Sequence, residues 1–375
     1  MVIGVLKEPS FETRVSLLPD AAAALIKKGI RILIEDGAGE KAFSHNDDYA
    51  KIGADIKPAH EVIQSADVIL SIHPPAKDSV KNNVIIGVYQ PLFNKELMIK
   101  WAADGITCFS LDMLPRTTRA QGMDVLSSQA NIAGYKAVIL AAEKYPRYFP
   151  MFMTAAGSIT PAKVLILGAG VAGLQAIATA RRLGSVVEVF DTRPAVKEEV
   201  TSLGGKFIEV EGAADASKAG GYGVEQSPEF QQRQKEKIAE SIARADVVIT
   251  TAQIPGKKAP VLVTKEMISK MRRGSVIIDL AAATGGNTEH TKNNETIEVN
   301  GVTIIGNSAL PSTMPSDASK LYGKNVLNFL NLIIDKEGGL NLNFEDDLVK
   351  GCCITHNGEI VNQQINQLAG AKAAQ

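Results

Sequence analysis

Residues 163–193, KVLILGAGVAGLQAIATARRLGSVVEVFDTR, limit the fold of this chain more than any other stretch. Val164–Leu167 is a short apolar run, too short for a helix, and reads as a strand buried on both faces. Gly168, Gly170 and Gly173 follow in G-x-G-x-x-G spacing. The first permits a tight turn, the second lets the backbone approach a pyrophosphate, and the third lets the next helix pack close to the strand. Leu174–Leu183 carries helix formers without Pro or Gly, and Gly184 stands where a helix C-terminus would place it. Val186–Phe190 then reads as a second strand. It delivers Asp191 to its tip, about 20 residues past the glycines, where an acid accepts hydrogen bonds from an adenosine ribose.

A lone glycine fingerprint is a weak signal, but here strand, turn, helix, second strand and acid stand in register and predict a dinucleotide site. The alternative is a Rossmann-like unit without its ligand. Asp191 opposes a 2′-phosphate, so NAD(H) is favoured over NADP(H). Arg193, two residues on, either serves a 2′-phosphate or pairs with Asp191 or an adenine face.

At 375 residues the chain suits two domains. Lys and Arg number 40 against 41 Asp and Glu, so no global field draws in nucleic acid or an anionic membrane. Cys108, Cys352 and Cys353 form neither a disulfide framework nor a C-x-x-C site, which fits a reducing compartment. The histidines at 45, 60, 73, 290 and 356 lack ligand spacing, and no metal is expected. MVIGVLKEP reads as a strand without the regions of a signal peptide, and no apolar run approaches a membrane span. A soluble protein is expected.

Residues 1–115 alternate strand-like runs (Val2–Leu6, Arg31–Glu35, Ala66–Ile72, Val84–Tyr89, Ile106–Leu114) with helical stretches, the pattern of a parallel sheet covered on both faces. This half has no glycine fingerprint and is not expected to hold a nucleotide alone. From 163 onward a second set runs through strands near Val164, Val186, Phe207, Val247, Val276 and Val302. The expectation is an α/β chain with two Rossmann-like doubly wound parallel-sheet domains joined by long linking helices. Residues 1–130 with 330–375 would form one domain, and 131–329 the NAD(H)-binding one.

Two loops break this regularity. PRTTRAQGMD, Pro115–Asp124, is a polar connector between the two α/β halves, either merely solvated or lining an interdomain cleft. The Gly-rich stretch between Val210 and Lys235 is long for a loop in a compact domain. Its Tyr222 is either a lid tip or an incidental exposed side chain.

Several segments carry a family resemblance: RTTRAQGMDVLSSQANIAGY, MTAAGSITPAKVLILGAGVAGLQAIATARRLG, AGGYG, TTAQIPGKKAPVLV and SVIIDLAAATGGN. In this order the chain resembles, over nearly its whole length, the NAD(H)-binding component of proton-translocating nicotinamide nucleotide transhydrogenase. The resemblance implies an enzyme, an NAD(P)+ transhydrogenase active with partner subunits. Hydride would pass directly between NAD(H) on this chain and NADP(H) on the partner, coupled to proton translocation by a membrane part. Arg116, Gln121 and Asp124 match a signature loop at the nicotinamide end, with Ser127 a neighbouring contact and Tyr222 the tip of a mobile lid. Gly168, Gly170, Val171, Ala172, Gly173, Asp191, Thr192, Arg193 and Gln253 complete the implied cofactor contacts. The resemblance also implies a homodimer that lies on the cytoplasmic side of the membrane, held there by NADP(H)-binding and membrane-spanning subunits.

Alanine dehydrogenase is the nearest competitor and shares the fold. Arg14 matches both groups and decides nothing. That enzyme's lysine position falls at His73, its histidine position near Gln90, and its aspartate position at Ala283. Reducing an imine needs a proton donor in reach of nitrogen. Hydride exchange between two nicotinamides needs only held, oriented rings. A non-catalytic NAD-sensing module is the third reading.

Overall fold

A computed structural model describes residues 1–76, 80, 83–212 and 227–370. In chain order the early strands are β1 (Val2–Val5), β2 (Arg31–Glu35), β3 (Asp55–Lys57), β4 (Val68–Leu70), β5 (Val84–Gly87) and β6 (Thr107–Ser110). Then come β7 (Phe152–Thr154), β8 (Gly157–Ile159), β9 (Lys163–Leu167), β10 (Val186–Phe190), β11 (Lys206–Phe207) and β12 (Val247–Thr250). The last are β13 (Val276–Asp279), β14 (Glu295–Val299), β15 (Val302–Gly306), β16 (Cys353–His356) and β17 (Glu359–Ile360). The chain divides into two compact units, Met1–Gln129 with Ser312–Gln375, and Ala130–Pro311.

The first unit holds a sheet in the order β17-β16-β6-β5-β4-β1-β2-β3. β1 to β6 run parallel, while β16 lies antiparallel to β6 and β17 to β16. Its strands read as continuous apolar runs because neighbouring residues point to opposite, equally dry faces. Ile3, Val5, Ile32, Ile34, Val68 and Leu70 enter one core with Tyr322, Val326, Phe329 and Ile333 of the helix Pro315–Ile333. Leu33, Ile69, Ile85 and Cys108 enter the other, against Met98 and Trp101 of the helix Lys95–Ala103.

The return to the first unit falls at residue 312, not at 330 as the sequence suggested. The apolar face of Pro315–Ile333 fits the first unit's core, and a helix is assigned by what it buries.

The second unit's sheet runs β11-β10-β9-β12-β13-β15-β14, parallel except for β14, which is antiparallel to β15. Alternation repeats here: Val164 and Ile166 enter one core, Leu165 and Leu167 the other. The strand order reverses at β9, which has β10 on one side and β12 on the other. In open α/β sheets ligands bind at the carboxyl ends of strands beside such a switch point.

β3 and β14 carry alternating polar residues, and the β7–β8 hairpin is largely exposed, so none announced itself as a strand. The helix after the glycine turn begins at Val171, earlier than Leu174, and takes Gly173 into its first turn. Among the described residues no helix is long and apolar enough to cross a membrane. Nor does any group of three or more His, Cys, Asp or Glu among them stand ready to hold a metal.

Candidate dinucleotide site

The three glycines of the fingerprint have three different surroundings. Gly168 has φ +106, and a Cβ there would lie 2.4 Å from Thr251 Oγ1. That hydroxyl donates to the Gly168 carbonyl at 3.1 Å. Gly173 is packed tightest: its Cβ would lie 1.9 Å from the Gly168 carbonyl oxygen. Gly170, the N-cap of Val171–Arg182, would meet nothing within 4 Å. The first and third glycines are thus demanded by the fold, while the second faces open space at a helix N-terminus, where backbone amides and the helix dipole favour an anion. These residues fit the pyrophosphate of a dinucleotide.

Val171 is exposed and Ala172 half-buried at the start of that helix. The Ala172 carbonyl lies where a Cβ on Gly134 would come within 2.1 Å, so a glycine on the helix Val125–Lys144 is what lets the two helices meet.

Asp191 closes the unit. Its Oδ2 accepts the Ala169 N–H at 2.7 Å, which ties the tip of β10 to the glycine turn. Arg193 donates its backbone N–H and Nε–H to Oδ1 at 2.8 and 2.9 Å, and Nη2 to Oδ2 at 2.8 Å. Of the open alternatives for Arg193, pairing with Asp191 is the one realised. Thr192 sits half-buried between them.

Gln253 follows β12, the strand beside β9, and donates Nε2–H to the Leu280 carbonyl at 3.0 Å. Its loop rests on a buried brace that gave no sequence signal. Asn287 accepts the Ala252 N–H and donates to the carbonyls of Ala252 and Pro260, clipping both ends of the loop together. Asp279, fully buried at the end of β13, accepts from the backbone of Ala281, Asn287 and Thr288 and from the Thr291 hydroxyl. Only the triplet Gly285–Gly286–Asn287 in the SVIIDLAAATGGN motif hinted at it. Tyr222 lies outside the described residues.

In the first unit, Arg116 and Gln121 are exposed on the loop before Val125–Lys144, whose residues Thr118–Met123 form a 3-10 turn. The loop is clamped. Asn325 and Asn328 both donate to the Gly122 carbonyl, at 2.8 and 2.7 Å, and Arg119 pairs with Asp346. Asp124 caps the helix: its carboxylate accepts the Ser127 N–H at 2.9 Å and the Ser127 hydroxyl at 2.6 Å.

Near the carboxyl ends of β1 and β4 lies a polar cluster that sequence reading missed except for Arg14 and His73. Glu12 binds Arg14 through both oxygens, at 2.9 and 2.7 Å, and accepts from the Ser312 hydroxyl at 2.7 Å. Its second oxygen lies 2.9 Å from His73 Nε2. Burial opposes ionisation of Glu12, but the hydrogen bonds from Arg14 and His73 outweigh it and hold the carboxyl well below the usual carboxylate range. Burial of Glu8 wins over its hydrogen bonds from the Ile72 and His73 amides and pushes it up to about 7.

Residues 4–133 match the family described as "Alanine dehydrogenase/PNT, N-terminal domain", and 137–363 match "Alanine dehydrogenase/PNT, C-terminal domain". The chain is 43% identical to an NAD(P) transhydrogenase subunit alpha chain of Rickettsia prowazekii, covering 98% of each. It superposes on the crystal structure of transhydrogenase from Sinorhizobium meliloti with a TM-score of 0.88 at 43% identity, covering 96% of this chain and all of that one. To the alanine dehydrogenase of Bacillus subtilis it is 26% identical, over 97% of this chain and 94% of that enzyme. The chain belongs to the alanine dehydrogenase/PNT family, among the NAD(P) transhydrogenase alpha subunits.

Proposed function

We propose that this chain is the NAD(H)-binding component of a proton-translocating transhydrogenase, exchanging hydride with NADP(H) carried by a partner subunit. The observation that carries this reading is the open space at Gly170 beside an acid tied to the same turn. A bound nicotinamide supplies the hydride chemistry. The chain's own residues bind and orient it: the helix amides after Gly170 meet the pyrophosphate, with Val171, Ala172, Thr192 and Gln253 around it, and Asp191 meets the ribose. Arg116, Gln121 and Asp124, with Ser127, serve the nicotinamide end.

Alanine dehydrogenation is the weaker reading, because its proton-transfer groups have no counterpart. His73 is bound to Glu12, Gln90 stands in left-handed backbone with φ 50, and Ala283 has no acid. Hydride exchange between nicotinamides moves no substrate proton and asks only for proximity and orientation.

A homodimer agrees with the exposed apolar side chains on and before the β7–β8 hairpin: Tyr148, Met151, Phe152 and Met153, the last 78% exposed. Proton movement and membrane insertion belong to the partner subunits, with this chain peripheral on the cytoplasmic side.

The test is reconstitution with an NADP(H)-binding partner. Gln121→Asn is expected to lower hydride transfer by about tenfold or more with NADH affinity unchanged. Alanine-dependent NADH formation by the chain alone, or full transfer by the Gln121 variant, would overturn the reading. NADH binding with no transfer to any NADP-loaded partner would favour a sensor.

A further inference from the structure

Asp191 and Arg193 form a closed pair. The guanidinium spans both carboxylate oxygens through Nε and Nη2, and the Arg193 backbone N–H adds a third bond to Oδ1. The two side chains, Arg193 and Asp191, are only 17% and 6% exposed. A pair this dry is held far more firmly than a surface one, because water cannot compete for either partner. The pair also fixes its own backbone, since Asp191 accepts from the residue two positions later.

This changes how cofactor choice works at the tip of β10. A bare carboxylate would refuse a 2′-phosphate by repulsion alone. Here the carboxylate is already neutralised by a guanidinium, the group best shaped to grip a phosphate through two parallel hydrogen bonds. The chain therefore carries both cofactor signatures side by side, an acid for a ribose hydroxyl and an arginine for a 2′-phosphate.

We propose that Arg193 is a latent 2′-phosphate ligand that Asp191 holds out of use, so that cofactor preference rests on the pair and not on the acid alone. While Asp191 is ionised, the Nε and Nη2 donors are directed at it and the pair has no net charge to offer a phosphate. Its remaining lone pairs stay open to a ribose hydroxyl, which is small and neutral and leaves the pair intact. Neutralising position 191 leaves a part-buried guanidinium with its principal acceptor gone, and a 2′-phosphate is the anion that the cofactor itself can bring. Glu199, the other acid whose field reaches Arg193, competes for it from the following helix Lys197–Ser202 but is exposed.

This inference rests on the dinucleotide reading of the site. Its test is equilibrium binding of NADH and NADPH, at fixed ionic strength, to the full chain and to Asp191→Asn, Arg193→Gln and the double variant. Asp191→Asn is expected to lose about tenfold in NADH affinity and gain about tenfold for NADPH, the size of one charge-assisted hydrogen bond. Arg193→Gln leaves a bare acid and is expected to widen the preference for NADH. In the double variant the NADPH gain disappears, a coupling that independent sites would not show. Should Asp191→Asn not fold, Asp191→Ser keeps an acceptor near the Ala169 and Arg193 amides and carries the same expectation. Asp191 variants that still bind NADH without gaining NADPH, or a gain that survives removal of Arg193, would overturn the proposal. If the unaltered chain binds neither cofactor, the dinucleotide reading itself fails.

Discussion

The backbone N–H of His73 donates to a carboxylate oxygen of Glu8 at 3.0 Å, while the His73 ring lies 2.9 Å from a different carboxylate, that of Glu12. One residue thus bridges two buried acids that titrate in opposite directions. Glu8, raised to about 7, favours its protonated form in the folded chain. Its contribution to stability is complete below its ordinary value of 4.5 and is lost as pH rises towards 7. The loss amounts to about 3 kcal/mol. Glu8→Gln is expected to flatten this part of the pH profile, read as urea midpoints between pH 4.5 and 7; an unchanged slope would show that Glu8 does not titrate there. Glu12 works the other way, stabilising above the ordinary carboxylate range and failing only in stronger acid.

Two glycines of the fingerprint should separate folding from binding. Gly173→Ala drives a methyl against the Gly168 carbonyl and is expected to cost about 3 kcal/mol. Gly170→Ala meets no neighbour and keeps an ordinary φ of −78, so its melting temperature should stay within a degree or two while NADH affinity falls about tenfold or more. Thermal melts and calorimetric titration of both variants decide the matter. Tight NADH binding by Gly170→Ala would place the pyrophosphate elsewhere.

The brace under the Gln253 loop is predicted to be structural. Asp279→Ala leaves three backbone donors and one hydroxyl without an acceptor and should cost about 3 to 5 kcal/mol. Asn287→Ala should cost about 2 to 3 kcal/mol and speed amide exchange at Ala252 and Leu262, whose N–H groups bond to Asn287. Unaltered exchange at those two amides would deny the clip its role.

At the start of Val125–Lys144, Asp124→Ala should cost about 1 kcal/mol and Asp124→Asn little, since asparagine also caps. Equal losses for the two, read from chemical denaturation, would mean that charge and not capping is what position 124 supplies.

What the sequence revealed follows from range. The β9 turn was readable because each glycine's reason lies within a few residues: Gly168, Gly170 and Gly173 answer to one strand and one helix. The six strands near Val164, Val186, Phe207, Val247, Val276 and Val302 were readable because burial on both faces leaves an unbroken apolar run. The helix Pro315–Ile333 was visible as a helix, but its partner core was not, since amphipathicity says that a face is buried and not against what. Asp279 and Asn287 were silent because their bonds join separate loops and depend on no local pattern. Glu8 and Glu12 look like ordinary surface acids in KEPSFET; only the fold buries them.

The clamp on the Gly122 carbonyl bears on when entropy is lost. Ordering a loop residue costs roughly 1 to 2 kcal/mol, and Asn325 and Asn328 make the loop bear that cost while the chain folds, before any nucleotide arrives. Gln121, next to that carbonyl, meets its ligand from a backbone already fixed. Its contribution is then free to appear in the rate of transfer and not in the affinity for cofactor.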